Sequence, residues 1–218
     1  LALVPVTVAV HYANEYADVE TDRRTDPTPF SGGSGALVTT GLPRSFLGRG
    51  TALAVTAALL AIAGAALAGL PVDALALLVL GLLGGLAYSL PPVALVRRGV
   101  GEAANATLGA VVLPAYGVSV VGAPTAASAL AVLPFALVTA CNLLATHWPD
   151  RRADAAVGKR TLVVRWSPAG VRRAYAVLAV VAALAVLTLT VASVLPPAVA
   201  LAHLTAVPFL VWGWRTLT

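Results

Sequence analysis

The chain has 218 residues, of which 59% are hydrophobic and only 11% are charged, whereas soluble domains are about 45–50% apolar and about 25% charged. This composition excludes an ordinary soluble globule and predicts an all-α, polytopic transmembrane bundle. The net charge is +5, but the basic residues are interleaved with carboxylates and form no basic helix, which argues against nucleic acid as a partner. The single cysteine, Cys141, excludes an intrachain disulfide.

Seven apolar stretches predict seven membrane helices in one domain over residues 1–218. They cover residues 1–17, 51–70, 73–90, 103–122, 126–148, 171–194 and 197–214. Only 13 residues precede Asn14, which is too few to cross a bilayer at about 20 residues per span. We therefore expect the sequence to begin inside a helix and to lack at least one helix before Leu1.

The charged residues are distributed unevenly over the two sides of the predicted bundle. All 14 Lys and Arg residues follow the first, third, fifth or last stretch, and of the nine acidic residues only Asp73 lies on the other side. Loops rich in Lys and Arg remain in the cytoplasm. The pattern predicts an integral protein of the cell membrane, surrounded by membrane lipid, with its functional site at the cytoplasmic face.

Two pairs of aspartates carry the functional signal. Asp18 and Asp22 end the first apolar stretch, and Asp150 and Asp154 lie 132 residues further on, at the end of the fifth. Two stretches that match at a fixed offset indicate an internal repeat. Residues four apart share one face of a helix, so we expect all four carboxylates to converge on one cavity.

Converging carboxylates repel one another, and a cation between them relieves the repulsion. Magnesium suits such a site because it binds through one or two carboxylates together with substrate phosphates. The four aspartates are therefore predicted to be catalytic metal ligands for Mg²⁺. The basic loop that follows the second pair supplies Lys159 and Arg160 as predicted partners for a diphosphate.

The order of these residues resembles the UbiA superfamily of intramembrane prenyltransferases. The resemblance rests on two aspartate-rich motifs and a middle loop. The matching residues are Asn14, Glu15, Asp18 and Asp22 in the first motif; Asp150, Asp154 and residues 158–165 in the second; and residues 88–92 and 98–102 in the loop. Residues 28–34 resemble the loop that follows the first motif in menaquinone-type members.

The resemblance implies a fold of nine helices, of which seven are visible, so that a helix after Thr218 is also expected to be missing. It implies Mg²⁺-dependent transfer of a polyprenyl group from a prenyl diphosphate to an aromatic acceptor, closest to 1,4-dihydroxy-2-naphthoate in quinone biosynthesis. Other acceptors stay open, namely 4-hydroxybenzoate, a tetrapyrrole or an isoprenoid glycerol lipid. It further implies Asn14 as a ligand of the metal and substrate, and Tyr88, Arg98 and Glu102 as substrate-binding residues.

The sequence departs from the family pattern at several positions. Glu15 replaces the commoner aspartate, Thr146 and His147 stand where the second motif often carries Asn and an acidic residue, and Pro92 occupies the lysine position of a Tyr-x-x-x-Lys element. Repeated carboxylates in a membrane protein are also typical of transporters. Transporter sites lie near the bilayer midplane, whereas these carboxylates lie at the ends of spans, which favours an enzyme.

Overall fold

The computed structural model describes residues 1–26, 28 and 33–218, which form the predicted all-α bundle. Its helices are α1 (Leu3–Asp22), α2 (Ala36–Thr40), α3 (Arg44–Leu67), α4 (Val72–Ser89), α5 (Gly101–Thr107), α6 (Leu113–Val121), α7 (Ala126–Ala131), α8 (Leu133–Ala156), α9 (Leu162–Arg165), α10 (Pro168–Val191) and α11 (Pro197–Thr216). A 3₁₀ turn covers Leu95–Arg97 and a π-helical turn covers Leu108–Val112. Most of the loop predicted over residues 28–34 lies outside the described residues.

Each predicted apolar stretch corresponds to a helix. Six helical segments of the described chain are long and apolar enough to cross a membrane: Arg44–Leu67, Val72–Ser89, Gly101–Val121, Ala126–Ala156, Pro168–Val191 and Pro197–Thr216. The first stretch forms α1, whose C-terminal half carries Glu15, Asp18, Glu20 and Asp22, so α1 is too acidic to count among them. The all-α polytopic architecture is confirmed.

Helices α1, α3 and α8 extend further into polar sequence than their apolar stretches predict. Helix α1 continues past residue 17 to Asp22. Helix α3 begins at Arg44, directly after the extended Pro43, and it continues through Gly48 and Gly50, which face the rings of Tyr16 and Tyr12 of α1. Helix α8 continues past Pro149 to Ala156. Both aspartate pairs are therefore held on helical backbone, where their spacing is fixed.

A π-helical turn interrupts the helix predicted over residues 103–122. Pro114 follows this turn, and it has no backbone N–H to donate to the carbonyl of Ala110 while its ring crowds that carbonyl. The wider turn accommodates the conflict, and such turns are frequent at functional sites. The apolar pattern predicted a regular helix here, because one extra residue in a single turn does not change that pattern visibly.

The helices pack around two cores, and the first of these includes the small residues Ala9, Ala54 and Ala58. The first core joins α1, α3 and α4 through Val6, Ala9, Ala54, Ala58, Leu78 and Leu82. The second joins α8, α9, α10 and the end of α11 through Cys141, Leu144, Val163, Val171, Tyr175 and Leu217. Close approach through Gly and Ala is how helices associate in membranes, where apolar surface alone supplies little drive for association.

Candidate active site

A cavity of about 420 Å³ lies between the two cores, lined by α1, α4, the α5–α6 segment and α8. Leu3 and Asp22 both line it, and they lie about 28 Å apart along α1 at about 1.5 Å per residue. The Asp22 end is rich in carboxylate, amide and hydroxyl groups, and the Leu3 end is lined by Leu, Val and Gly residues of α1, α4 and the π turn. The cavity is therefore long, with one charged end and one apolar end.

Seven of the predicted site residues line this cavity together. They are Asn14, Asp18, Asp22, Tyr88, Asp150, Asp154 and Lys159. The predicted convergence of the two motifs thus agrees with the arrangement of the helices, since α1 brings one aspartate pair and α8 the other.

Lys159 connects the two motifs through its ammonium group. Its Nζ lies 2.9 Å from Oδ1 of Asp18 and 3.3 Å from Oδ1 of Asp154. The Lys159 and Asp154 side chains are 8% and 6% exposed, and that of Asp18 is 21% exposed, so the bridge is largely removed from water. Burial lowers the pKa of Lys159, but the two carboxylates more than offset this effect and raise it above its ordinary value.

The backbone after α8 explains why Lys159 points inward. Gly158 has φ +78°, a left-handed conformation suited to glycine at the end of a helix, and the backbone N–H of Lys159 donates to the carbonyl of Asp154 at 2.9 Å. The next residues alternate, since Lys159 and Thr161 are buried whereas Arg160 is exposed. Arg160 is exposed and does not line the cavity, and its contact with the diphosphate stays a prediction.

The chain that follows α1 passes close to the carboxylate of Asp22. A β-carbon on Gly33 would overlap the Asp22 carboxylate, so only glycine permits this approach. Burial raises the pKa of Asp22 to about 6, and repulsion from Asp18 and Glu15 acts in the same direction. The charged form of Asp22 is therefore less favourable here than in water.

Asn14 positions the first motif rather than standing free in the cavity. Its Nδ2 donates to Oδ2 of Asp18 and to Oγ of Ser89, each at 3.2 Å. These two bonds fix the amide group between α1 and α4. They also leave Oδ1 of Asn14 as the atom that a cation could use, in keeping with its predicted role.

The two motifs share a further structural feature. Arg44 lies 4.1 Å from the ring centroid of Tyr16 and donates to the Tyr16 carbonyl at 3.0 Å. Arg151 lies 3.9 Å from the ring centroid of Trp148 and donates to the Trp148 carbonyl at 2.7 Å. Tyr16 and Trp148 are the aromatic positions related by the 132-residue offset. Arginine stacking on an aromatic face thus occurs at equivalent places in both halves of the repeat.

Two of the substrate-binding residues predicted for the middle loop do not line the cavity. Arg98 donates to the carbonyls of Pro92, at 2.8 Å, and Val93, so its guanidinium braces its own loop. Glu102 is 3% exposed; its Oε1 accepts from the backbone N–H of Leu162 at 2.6 Å and lies 3.4 Å from Nδ1 of His147. These residues order the loop around the site, and the sequence could not distinguish this role from ligand binding.

Sequence reasoning did not assign several polar residues that line the charged end, and the helical spacing offered a signal for some of them. The cavity also contains His11, Thr21, Thr25, Asn105, His147 and Thr161. Thr21 follows Asp18 by three residues and His11 precedes Asn14 by three, so both share the face of the first motif. Asn105 follows Glu102 by three residues and so was a candidate on the same helical face, and Thr161 lies within the second motif. The fold shows that both residues line this cavity.

The donor set fits magnesium. The described side chains contain no group of three or more His, Cys, Asp or Glu residues close enough to form a complete metal site. Magnesium does not require one, because it commonly binds through one or two carboxylates and completes its shell with water and substrate phosphate. The Lys159 bridge shows that one cation can contact a carboxylate of each motif at once.

Comparison with known proteins gives one match. A model of the UbiA prenyltransferase family matches residues 1–218, a range that includes both aspartate motifs. No curated protein and no solved structure matches the chain significantly.

Proposed function

The chain belongs to the UbiA prenyltransferase family, whose members are membrane enzymes that transfer prenyl groups, and we propose that it transfers a polyprenyl group from a prenyl diphosphate to 1,4-dihydroxy-2-naphthoate. In this proposal the protein is an integral protein of the cell membrane that depends on Mg²⁺, and the charged end of its cavity faces the cytoplasm.

The observation that carries this proposal is the single cavity with carboxylates at one end and an apolar path at the other. A prenyl diphosphate has the same two-part character, since a polyanion is joined to a hydrocarbon chain. The charged end would take the diphosphate and the apolar end, lined by residues such as Leu78 and Leu113, would take the chain. A transporter would not need this division along one helix.

The proposed reaction breaks the bond between the first prenyl carbon and the diphosphate oxygen and forms a carbon–carbon bond to the acceptor ring. The diphosphate leaves, and the attacked ring carbon gives up the group it carried, a proton or carbon dioxide. Asn14, Asp18, Asp22, Asp150 and Asp154 would hold Mg²⁺, which supplies positive charge to the departing diphosphate.

The residues of the chain would perform the remaining tasks. Lys159 would contribute a second positive charge to the diphosphate once it moves away from its carboxylate partners. The apolar lining would exclude water from the electron-poor prenyl carbon, so that the acceptor rather than water reacts with it. Tyr88 and Asn105 line the same cavity, and Tyr88 would shape the space between donor and acceptor.

Identification of the acceptor rests on sequence alone. The loop over residues 28–34 resembles menaquinone-type members, and most of it lies outside the described residues. The other acceptors that the sequence leaves open are 4-hydroxybenzoate, a tetrapyrrole and an isoprenoid glycerol lipid.

A competition experiment tests the proposal. Purified protein in lipid vesicles would receive one labelled prenyl diphosphate together with all four acceptor classes, with and without Mg²⁺, and the products would be identified by mass. We expect prenylated 1,4-dihydroxy-2-naphthoate to form only when Mg²⁺ is present. Release of diphosphate with none of the acceptors prenylated would contradict the proposed transfer.

Matched variants test the site. Asp18→Asn and Asp150→Asn keep the shape of the side chain and remove its charge, and each is expected to lower turnover at least about 100-fold, the scale of losing one charge-stabilising group. Asp73→Asn is the control, because Asp73 lies at the start of α4 outside the cavity and, among the described residues, its carboxylate accepts from the adjacent Ala74 backbone N–H. Full turnover in both site variants would refute the assignment of the site.

A further inference from the structure

Thr161 carries a buried hydroxyl group that the surrounding protein does not satisfy. Its side chain is 1% exposed, and its Oγ1 has no hydrogen-bond partner within residues 1–26, 28 and 33–218. A buried hydroxyl without a partner costs free energy, and native proteins retain few such groups. Thr161 also lines the cavity that contains the aspartates. Its unsatisfied hydroxyl is therefore located where a ligand could satisfy it.

Thr161 does not fill the usual structural role of such a threonine. Thr161 is the N-cap residue of α9, a position where a threonine oxygen commonly accepts from a backbone N–H of the first turn. Thr161 makes no capping bond of this kind. Glu102 instead reaches across from α5 and accepts from the backbone N–H of Leu162 at 2.6 Å. Glu102 thus satisfies the first backbone N–H of α9, and the Thr161 hydroxyl takes no part in capping the helix.

The local backbone places this hydroxyl on the same side as the Lys159 ammonium. Lys159 and Thr161 are buried cavity residues, and the exposed Arg160 lies between them. Thr161 is itself extended, with φ −61° and ψ 160°, and burial alternates along residues 159–161, as it does where side chains two residues apart point to the same side. The segment after α8 therefore presents a cation and a hydroxyl group to one region of the cavity, beside Asp18 and Asp154.

We infer that Thr161 binds the substrate and that its hydroxyl donates a hydrogen bond to a non-bridging oxygen of the diphosphate. A deprotonated diphosphate oxygen is a strong hydrogen-bond acceptor, and a hydroxyl group can rotate to donate to it. Because the acceptor is ionised, the bond is stronger than one between neutral groups. This inference rests on the proposed function, since it assumes that a diphosphate occupies the charged end.

Binding of inorganic pyrophosphate by the purified full chain, measured by calorimetry with Mg²⁺ present throughout, tests the inference. Thr161→Val keeps the shape of the side chain and removes the hydroxyl. We expect this variant to bind pyrophosphate about 10- to 100-fold more weakly, the range for losing one hydrogen bond to a charged group. Thr161→Ser restores a hydroxyl group and is expected to recover most of the lost affinity.

Ser119 provides a matched control. It is also 1% exposed, its Oγ lacks a partner in the described part of the chain, and it lies in α6 outside the cavity lining. Ser119→Ala removes a buried hydroxyl of the same kind and should leave the affinity for pyrophosphate unchanged. A comparable loss of affinity in Ser119→Ala would overturn the assignment, because any buried hydroxyl would then have the same effect.

Thermal unfolding without ligand separates a binding role from a structural one. Removing an unsatisfied buried hydroxyl relieves a penalty, so Thr161→Val should unfold at the wild-type temperature or above it. Marked destabilisation of Thr161→Val, or wild-type affinity for pyrophosphate, would show that the inference is wrong while leaving the proposed function intact. Failure of the wild-type protein itself to bind pyrophosphate would count against the proposed function.

Discussion

At the scale of single residues, Lys159 is the cation that holds the two motifs together. It contacts Asp18 on α1 and Asp154 on α8, and removing one member of a buried charge pair costs about 3–5 kcal/mol. We expect Lys159→Met to lower the unfolding temperature in the absence of Mg²⁺. We also expect Mg²⁺ to raise that temperature more in the variant than in the wild type, because the ion would neutralise carboxylates that have lost their lysine.

Arg160→Met is the control for this experiment, because Arg160 is the exposed neighbour of Lys159 and exposed charges contribute little to stability. Scanning calorimetry with and without Mg²⁺ would measure both variants. An equal response to Mg²⁺ in Lys159→Met and in the wild type would mean that the lysine and the metal do not use the same carboxylates.

The aspartate pairs and Lys159 could be located from the sequence, but the roles of Arg98 and Arg160 could not. Spacing along a helix determines which face a side chain occupies, so Asp18 and Asp22 were readable as neighbours. Arg98 is held by the carbonyls of Pro92 and Val93, and such contacts depend on the path of a loop. The direction of Arg160 depends on the left-handed turn at Gly158, a backbone detail that charge patterns do not reveal.

At the scale of elements, Gly84 and Gly85 let α4 approach two neighbours. A β-carbon on Gly85 would overlap Val10 of α1, and one on Gly84 would come within 2.7 Å of Leu108 in the π turn. We expect Gly85→Ala to destabilise the protein by about 1–3 kcal/mol, the usual cost of overpacking a filled interior. Thermal unfolding in detergent would measure the change.

Gly117→Ala serves as the comparison for the glycine variant. A β-carbon on Gly117 meets no atom of the described chain within 4 Å, so alanine there should gain up to about 1 kcal/mol from its higher helix propensity. Similar unfolding temperatures for Gly85→Ala and Gly117→Ala would show that α1 and α4 are not packed as closely as the structure has them.

The existence of the helices was predictable because long apolar stretches are a strong signal, whereas their ends and irregularities were not. The apolar pattern fades at Thr51 and at Trp148, yet α3 starts at Arg44 and α8 ends at Ala156. Propensity and tertiary contacts, rather than hydrophobicity, determine these ends. The π turn at Leu108–Val112 arises from a conflict between Pro114 and the preceding turn that hydrophobicity does not register.

At the scale of the whole molecule, the site and nearly all the charge lie at one end of the bundle. The helix order places the described residues of the segments 23–26, 33–43, 90–100 and 157–167 at that end, and residues 68–71, 122–125 and 192–196 at the other. The bundle therefore has a charged end that contains the cavity aspartates and an opposite end that carries only Asp73. Because basic loops stay in the cytoplasm, this asymmetry predicts that the charged end of the bundle faces the cytoplasm.

Cysteine labelling tests the orientation directly, because the single native cysteine gives a clean background. Cys141 is fully buried and should not react with a membrane-impermeant maleimide. Ser45 and Ala123 are exposed at opposite ends of the bundle. We expect Ala123→Cys to be labelled in intact cells and Ser45→Cys only after the membrane is opened, because the basic end should face the cytoplasm. The reverse labelling pattern would place the active site on the outer face.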